Sequence, residues 1–211
     1  MPDLYYHPMS FPSLAPIFTA EAAGIDYNTK LVDLTTGEQS SPEYLAVNPF
    51  GKVPALKEGD FTLAESAAIM RYMARKEGSA LYPNEPQAQA KVDQWMDYVN
   101  HHIRTNVGKV HFNRTLAAMI GAEVDEKSLA DGERFLSANF PAIESCLSQQ
   151  PFLCGGAMTL ADIALVAALE PSDMSKIDMS DYPSLTKWLT ARRSETFYTN
   201  VHSHYGAELG M

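Results

Sequence analysis

Thiols are scarce in this sequence: cysteine occurs twice, at Cys146 and Cys154. Two cysteines in the second half make no disulfide framework, and neither has companions at zinc-ligand spacing. They read as packed thiols in a reducing, cytoplasmic setting. Basic residues are also in short supply, with 16 Lys and Arg against 26 Asp and Glu, a net charge of −10. A field of that sign does not attract nucleic acid or an anionic membrane, so an anionic ligand must be caught by local donors. No run is long and apolar enough for a bilayer span. The opening MPDLYYHPMSF lacks the basic-then-apolar order of a secretory signal. Internal repeats and low-complexity tracts are absent too. His101 and His102 are adjacent, and helical neighbours point apart, so no metal is expected there. His202 and His204 fall in a polar tail that suggests nothing specific.

What is present is a chain of 211 residues, 45% apolar and 20% charged, enough for a substantial core in one large domain or two modest ones. The first eighty residues alternate in type. Leu4 to Tyr6 reads as a strand, Pro12 to Ala23 as a helix stopped by Gly24, and Tyr27 to Val32 as a second strand. Ser41-Pro42-Glu43 opens a short helix. Pro54–Lys57 and Phe61–Leu63 flank the hairpin signal Glu58-Gly59-Asp60, and Glu65 to Lys76 is a helix closed by Gly78. This order, βαβ then ββα, predicts a small mixed sheet with helices packed on it. Residues 81–87 are a proline-punctuated linker. Residues 88–211 read as all helix. Ala88, Val92, Trp95, Val99 and Ile103 share one buried face, a helix runs from about Glu126 to Leu147, Leu160–Leu169 is the enclosed central helix, and Tyr182–Arg193 forms another.

Two segments carry chemistry. YYHPMSFPS, residues 5–13, turns from strand into helix with Ser10 in the turn. NPFGKVPALKEGDFTLAESAAIMRYMA, residues 48–74, places Glu65-Ser66 where a strand gives way to a helix. At such a helix start a hydroxyl and free N–H groups suit a carboxylate. Taken with the helical second half, the chain resembles the cytosolic glutathione transferase superfamily over nearly its whole length. It is closest in pattern to the theta, delta and phi classes, which use a serine. The resemblance implies an α/β thioredoxin-like domain at 1–80 that binds glutathione as cosubstrate, and an all-α domain at 88–211 that contributes an electrophile site.

The same resemblance implies roles for particular residues. Ser10 would donate a hydrogen bond that holds the glutathione sulfur as thiolate, with Tyr6 and Ser13 as alternatives. Helix capping by Ser10 is the plain competing role. Val53-Pro54 would be a cis peptide whose Val53 backbone pairs with the cysteinyl unit. Ser66 would take the γ-glutamyl carboxylate and Glu65 its ammonium, Lys52 would pair with the glycyl carboxylate, and Gln39 would add a polar contact. The electrophile would lie near Met9, Phe11, Arg104, Val107, His111, Phe112 and Arg114, an adaptable apolar wall with cations to meet developing charge. Thr159 and Asp162 in TLADIA have capping-box spacing and are assigned to folding. Gly156 stands where the family commonly has an Asp.

The implied reaction is conjugation of glutathione to small hydrophobic electrophiles, without a metal, by a cytoplasmic homodimer. Its interface would use the Glu65–Lys76 helix and the Ala88–Val107 helix. Two other readings stand beside it. A glutathione-dependent reductase or peroxidase would want a cysteine at the first helix start, and none precedes Cys146. A non-catalytic regulatory subunit of the same fold would tend to lose the thiol-contacting or carboxylate-holding residues, which are present here.

Overall fold

The computed structural model describes residues 1–204; residues 205–211, the end of the helical domain expected at 88–211, lie outside the described residues. The chain forms two compact units. Residues 84–193 make one, and residues 1–83 with the described residues from 194 make the other.

In the first unit, β1 (Asp3–Tyr6) pairs in parallel with β2 (Asn28–Leu31) and antiparallel with β3 (Ala55–Glu58), which pairs antiparallel with β4 (Phe61–Ala64). The strand order is β2-β1-β3-β4. Between β1 and β2 runs α1 (Phe11–Ala23). Pro12, set in the first turn, suits its start, and Gly24 at φ 64° ends it. The Ile25 N–H reaches back to the Ala20 carbonyl at 2.9 Å, the six-to-one closure that a left-handed glycine permits. Leu14, Ile17 and Phe18 of α1 are buried, as are Ile69, Met70 and Met73 of α3 (Ser66–Lys76). A separate cluster, Val32, Tyr44, Val47 and Ala55 with Tyr5, Leu34 and Val53, involves α2 (Pro42–Leu45). Ser41 caps α2 by accepting the Tyr44 N–H at 3.1 Å. Tyr72 of α3 donates to Glu58 of β3 at 2.8 Å, and Lys76 pairs with the same carboxylate.

The second unit begins with α4 (Pro86–Tyr98), α5 (Thr105–His111) and α6 (Ala117–Ile120), joined through two π-helical stretches, Val99–Arg104 and Phe112–Leu116. Val92, Met96, Val99 and Ile103 are its buried residues through the first stretch; Met96 rather than Trp95 fills the core, four residues after Val92 and three before Val99 on the same helical face. The helix expected over 126–147 is α7 (Glu126–Leu147), with Asp125 as its cap. All nine residues of α8 (Leu160–Ala168) are buried. The start of α9 (Pro183–Arg193) is capped from α7, where Glu144 accepts the Ser184 and Leu185 N–H groups at 3.0 and 2.9 Å.

One expectation changes. The tail around His202 and His204 is a helix, as the all-helix reading of 88–211 has it: α10 (Thr196–His204), with Phe197 and Val201 buried. But α10 belongs to the first unit. Phe18 of α1 meets Phe197 edge-on at 5.6 Å and stacks with Tyr198 and His202 at 5.5 and 5.8 Å, while Asn200 donates to Glu21 at 3.2 Å. Among the described residues, no helix is long and apolar enough to cross a membrane.

Candidate active site

The turn from β1 into α1 is shaped by a residue that the sequence did not single out. His7 is 1% exposed, and its Nδ1 accepts the Met9 N–H at 3.1 Å while its carbonyl accepts the Ser10 N–H at 2.9 Å. Burial lowers the His7 pKa, outweighing the opposite pull of Asp33, so the ring stays neutral and Nδ1 stays an acceptor. The turn delivers Ser10 to the N-cap position of α1, half-buried. There its backbone carbonyl accepts the Ser13 N–H at 2.7 Å, yet its hydroxyl makes no capping hydrogen bond. The plain capping role is therefore not what the Ser10 side chain performs. Met9 and Phe11, on either side, are half-buried.

The two alternatives to Ser10 sit elsewhere. Ser13 is fully buried, with its hydroxyl taking no hydrogen bond among the described residues. Tyr6 is 2% exposed and lines a cavity of about 420 Å³ with Ile17, Glu21 and Ile25, beside the C-terminal half of α1 rather than its start.

On the β3 side, the Val53–Pro54 peptide is cis. Strand pairing of β3 begins at Ala55, so the Val53 backbone lies beyond the ladder. Lys52 is exposed, and its carbonyl is fixed by the Tyr44 hydroxyl at 2.6 Å and the Asn48 Nδ2 at 2.5 Å. Asn48 also accepts the Phe50 N–H at 3.0 Å, so one amide side chain sets the whole approach to Val53. Gln39 lies in a single 3-10 turn, Glu38–Ser40, with its Oε1 buried and taking no hydrogen bond among the described residues.

The start of α3 is unusual. Glu65 takes φ 70° and ψ 115°, a left-handed backbone that costs a non-glycine residue about 1–3 kcal/mol. Its exposed side chain makes no capping bond, and no acidic residue stands in the first turn. Ser66, the first helical residue, is 6% exposed. The opening N–H groups of α3 and the Ser66 hydroxyl thus form an uncapped, positive helix end beside a single carboxylate.

Within the helical unit, the residues expected around an electrophile are dispersed in character. Val107 is buried at 1% exposure and Phe112 is 39% exposed. Arg104 closes the first π stretch; Phe112 and Arg114 lie in the second. His111 is buried and hydrogen-bonded through Nδ1 to Ser175 Oγ at 2.8 Å, and burial lowers its pKa. Arg114 donates to the Ser175 and Lys176 carbonyls at 2.9 and 2.7 Å and pairs with Glu133. His111 and Arg114 therefore bind the loop after α8, which corrects their expected availability to an electrophile. No group of three or more His, Cys, Asp or Glu able to hold a metal occurs among the described residues.

A family model described as the glutathione S-transferase N-terminal domain matches residues 3–75, and one described as the glutathione S-transferase C-terminal domain matches residues 67–194. The chain belongs to the glutathione S-transferase family. Glutathione S-transferase F10 of Arabidopsis thaliana is 35% identical over 162 residues, 75% of each chain. Among solved structures, a glutathione S-transferase-I bound with lactoylglutathione matches with a TM-score of 0.87 at 28% identity, covering 96% of this chain and 98% of that one. A delta-class glutathione transferase of Nilaparvata lugens matches with a TM-score of 0.77 at 31% identity, over 97% and 90% of the two chains. Against this family background, His7, Tyr44 and Asn48 are the residues that sequence reasoning passed over. Each acts by holding a backbone group of a neighbour, and the Asn-Pro pair at 48–49 was the one local sign of it.

Proposed function

We propose that the protein is a glutathione transferase in which Ser10 stabilises the thiolate of bound glutathione for attack on small hydrophobic electrophiles. The observation that carries this reading is the α3 start, where a strained Glu65 and a buried Ser66 offer a carboxylate beside uncapped N–H donors. The γ-glutamyl end of glutathione, an α-carboxylate next to an ammonium, matches that pair of charges. The free edge at Val53 suits the peptide backbone of the cysteinyl unit, Lys52 the glycyl carboxylate, and Gln39 a further polar contact. In this pose the sulfur reaches the head of α1.

A free thiol has a pKa of about 8.5. A hydrogen bond from Ser10 Oγ–H to the anion, worth about 1.5–3 kcal/mol to a charged acceptor, lowers that by about one to two units. The positive end of α1 acts in the same direction. The anion then attacks an electrophilic carbon, forming the carbon–sulfur bond as the leaving group departs or a ring opens. Met9 and Phe11 supply apolar contact for the acceptor beside Ser10; Arg104, Val107 and Phe112 remain the helical unit's candidates. The reading includes a detoxifying role, a cytoplasmic setting and a homodimer.

The test is the ultraviolet thiolate titration of glutathione bound to wild type, Ser10→Ala and Tyr6→Phe, after calorimetry has established binding. Ser10→Ala should raise the thiolate pKa by about one to two units and leave stability within about 0.5 kcal/mol, since no cap is lost. Tyr6→Phe should leave the thiolate unchanged. An unchanged pKa in Ser10→Ala removes Ser10 from the role, and absence of binding heat removes the reading altogether.

A further inference from the structure

The two cysteines lie near each other at the junction of α7 and α8, in the unit remote in sequence from Ser10. Cys146 is in the last turn of α7, and the chain doubles back directly after it. The Gln149 and Gln150 N–H groups donate to the Cys146 carbonyl at 3.1 and 3.2 Å, and Phe152 and Gly155 exchange two backbone hydrogen bonds of 3.2 Å. Gly155, at φ 118°, closes the loop in a conformation that a side chain would resist.

The fold-back lays the Leu153 carbonyl on the Cys146 sulfur, with the thiol donating to it at 3.5 Å. Gln150 Nε2 bridges the two, donating to Leu153 O at 3.0 Å and to Cys146 Sγ at 3.2 Å. That carbonyl is bonded to the Cys154 nitrogen, so Cys146 Sγ lies within about 6 Å of the Cys154 Cα by standard backbone dimensions. The Asp162 carboxylate acts on both thiols, and each is partly open to solvent. Disulfide geometry accepts Cα separations of roughly 4.4–6.8 Å, so closure requires Cys154, which Gly155 and Gly156 follow, to shift its backbone and turn its sulfur toward Cys146 Sγ.

We propose that Cys146 and Cys154 are a redox pair that closes to an intramolecular disulfide by exchange with a low-molecular-weight disulfide, clamping the end of α7 to the entrance of α8. The Cys146 thiolate attacks one sulfur of glutathione disulfide and releases one glutathione thiolate. The Cys154 thiolate then attacks Cys146 Sγ in the mixed disulfide and releases the second. Two protein thiols lose two electrons and two protons, and the disulfide is reduced to two glutathione molecules. Burial raises both thiol pKa values, which leaves less thiolate for the exchange at neutral pH.

The experiment incubates the protein with excess glutathione disulfide, quenches with a maleimide under denaturing conditions and reads the intact mass. Wild type should lose the mass of two hydrogens and take no maleimide. A proteolytic digest should yield one cross-linked peptide pair holding both cysteines, and the thermal midpoint should rise by several degrees until dithiothreitol is added. Cys146→Ser and Cys154→Ser should each carry one glutathionyl group instead. Two maleimides on treated wild type, glutathionyl groups that persist without closing, or disulfide-linked dimers on a non-reducing gel would each overturn the pairing. None of these readouts depends on the proposed transferase activity.

Discussion

Replacing Asp162 with Asn should change how the stability of the helical unit depends on pH. Asp162 is 0% exposed, its Oδ1 accepts the Leu153 N–H at 2.9 Å, and its Oδ2 accepts the Thr159 N–H and hydroxyl at 2.8 and 2.9 Å. Those three donors favour the carboxylate, but burial outweighs them and pushes the carboxyl from 3.8 up to about 6. Between those two values the folded state holds a proton that the unfolded chain releases. Stability from this group is therefore complete below about pH 4, falls as pH rises, and is gone above about pH 6. A shift of about two units corresponds to about 3 kcal/mol. The Asn variant cannot titrate. Its amide also turns one N–H toward the donors of Leu153 or Thr159, a pH-independent loss of about 1–3 kcal/mol.

Both tryptophans, Trp95 and Trp188, lie in the helical unit, so their fluorescence follows that unit during urea unfolding. Unfolding free energies measured from pH 4 to pH 8 should show wild type well above Asp162→Asn at the acid end. The gap should close by about 3 kcal/mol as pH passes 6. Background carboxylates titrate equally in both proteins and cancel in the difference. Two parallel curves would refute the reasoning, because they would mean that the buried carboxyl ionises in the fold at its ordinary pH.

Two further substitutions probe close approaches and strain. Glu65→Gly removes a side chain from a φ of 70°, so the protein should gain about 1 kcal/mol in thermal unfolding while calorimetry shows glutathione binding weakened about tenfold or more; equal affinity would dissociate Glu65 from the ligand. Gly132→Ala sets a helix-propensity gain of about 1 kcal/mol against overpacking of about 1–3 kcal/mol. The new Cβ would stand 3.0 Å from Val110 Cγ2 and 3.1 Å from the Asn106 carbonyl. Because a backbone atom cannot swing away, the thermal midpoint should fall by a few degrees, and a rise would show that α5 can retreat from α7.

Legibility in the sequence followed how local the determining interaction was. The head of α1, its Gly24 stop, the Ser41 cap and the full span of α7 were readable because each is set by residues within a few positions of one another. The enclosed α8 was readable from uninterrupted apolar character. The π stretches at Val99–Arg104 and Phe112–Leu116 were not, since the apolar stripe keeps helical spacing through them; nor was the choice of Met96 over Trp95 for the core, since both positions suit one helical face. Helix α10 offered two apolar anchors, Phe197 and Val201, and its partner Phe18 is far away along the chain. Arg114 looked available because its acceptors, Glu133 and the carbonyls of Ser175 and Lys176, come from other segments. Glu65 showed its place before a helix but not its backbone, because only glycine announces a positive φ in a sequence.

The return of α10 to α1 makes the thioredoxin-like unit a discontinuous product of the gene. A ribosome delivers Phe197 and Val201 only after the entire helical unit has emerged, so Phe18 waits for its ring partners through more than half of synthesis. A stop codon just past Arg193 would leave every residue of the helical unit encoded, and the injury would surface at the opposite end of the polypeptide, beneath the helix that Ser10 heads.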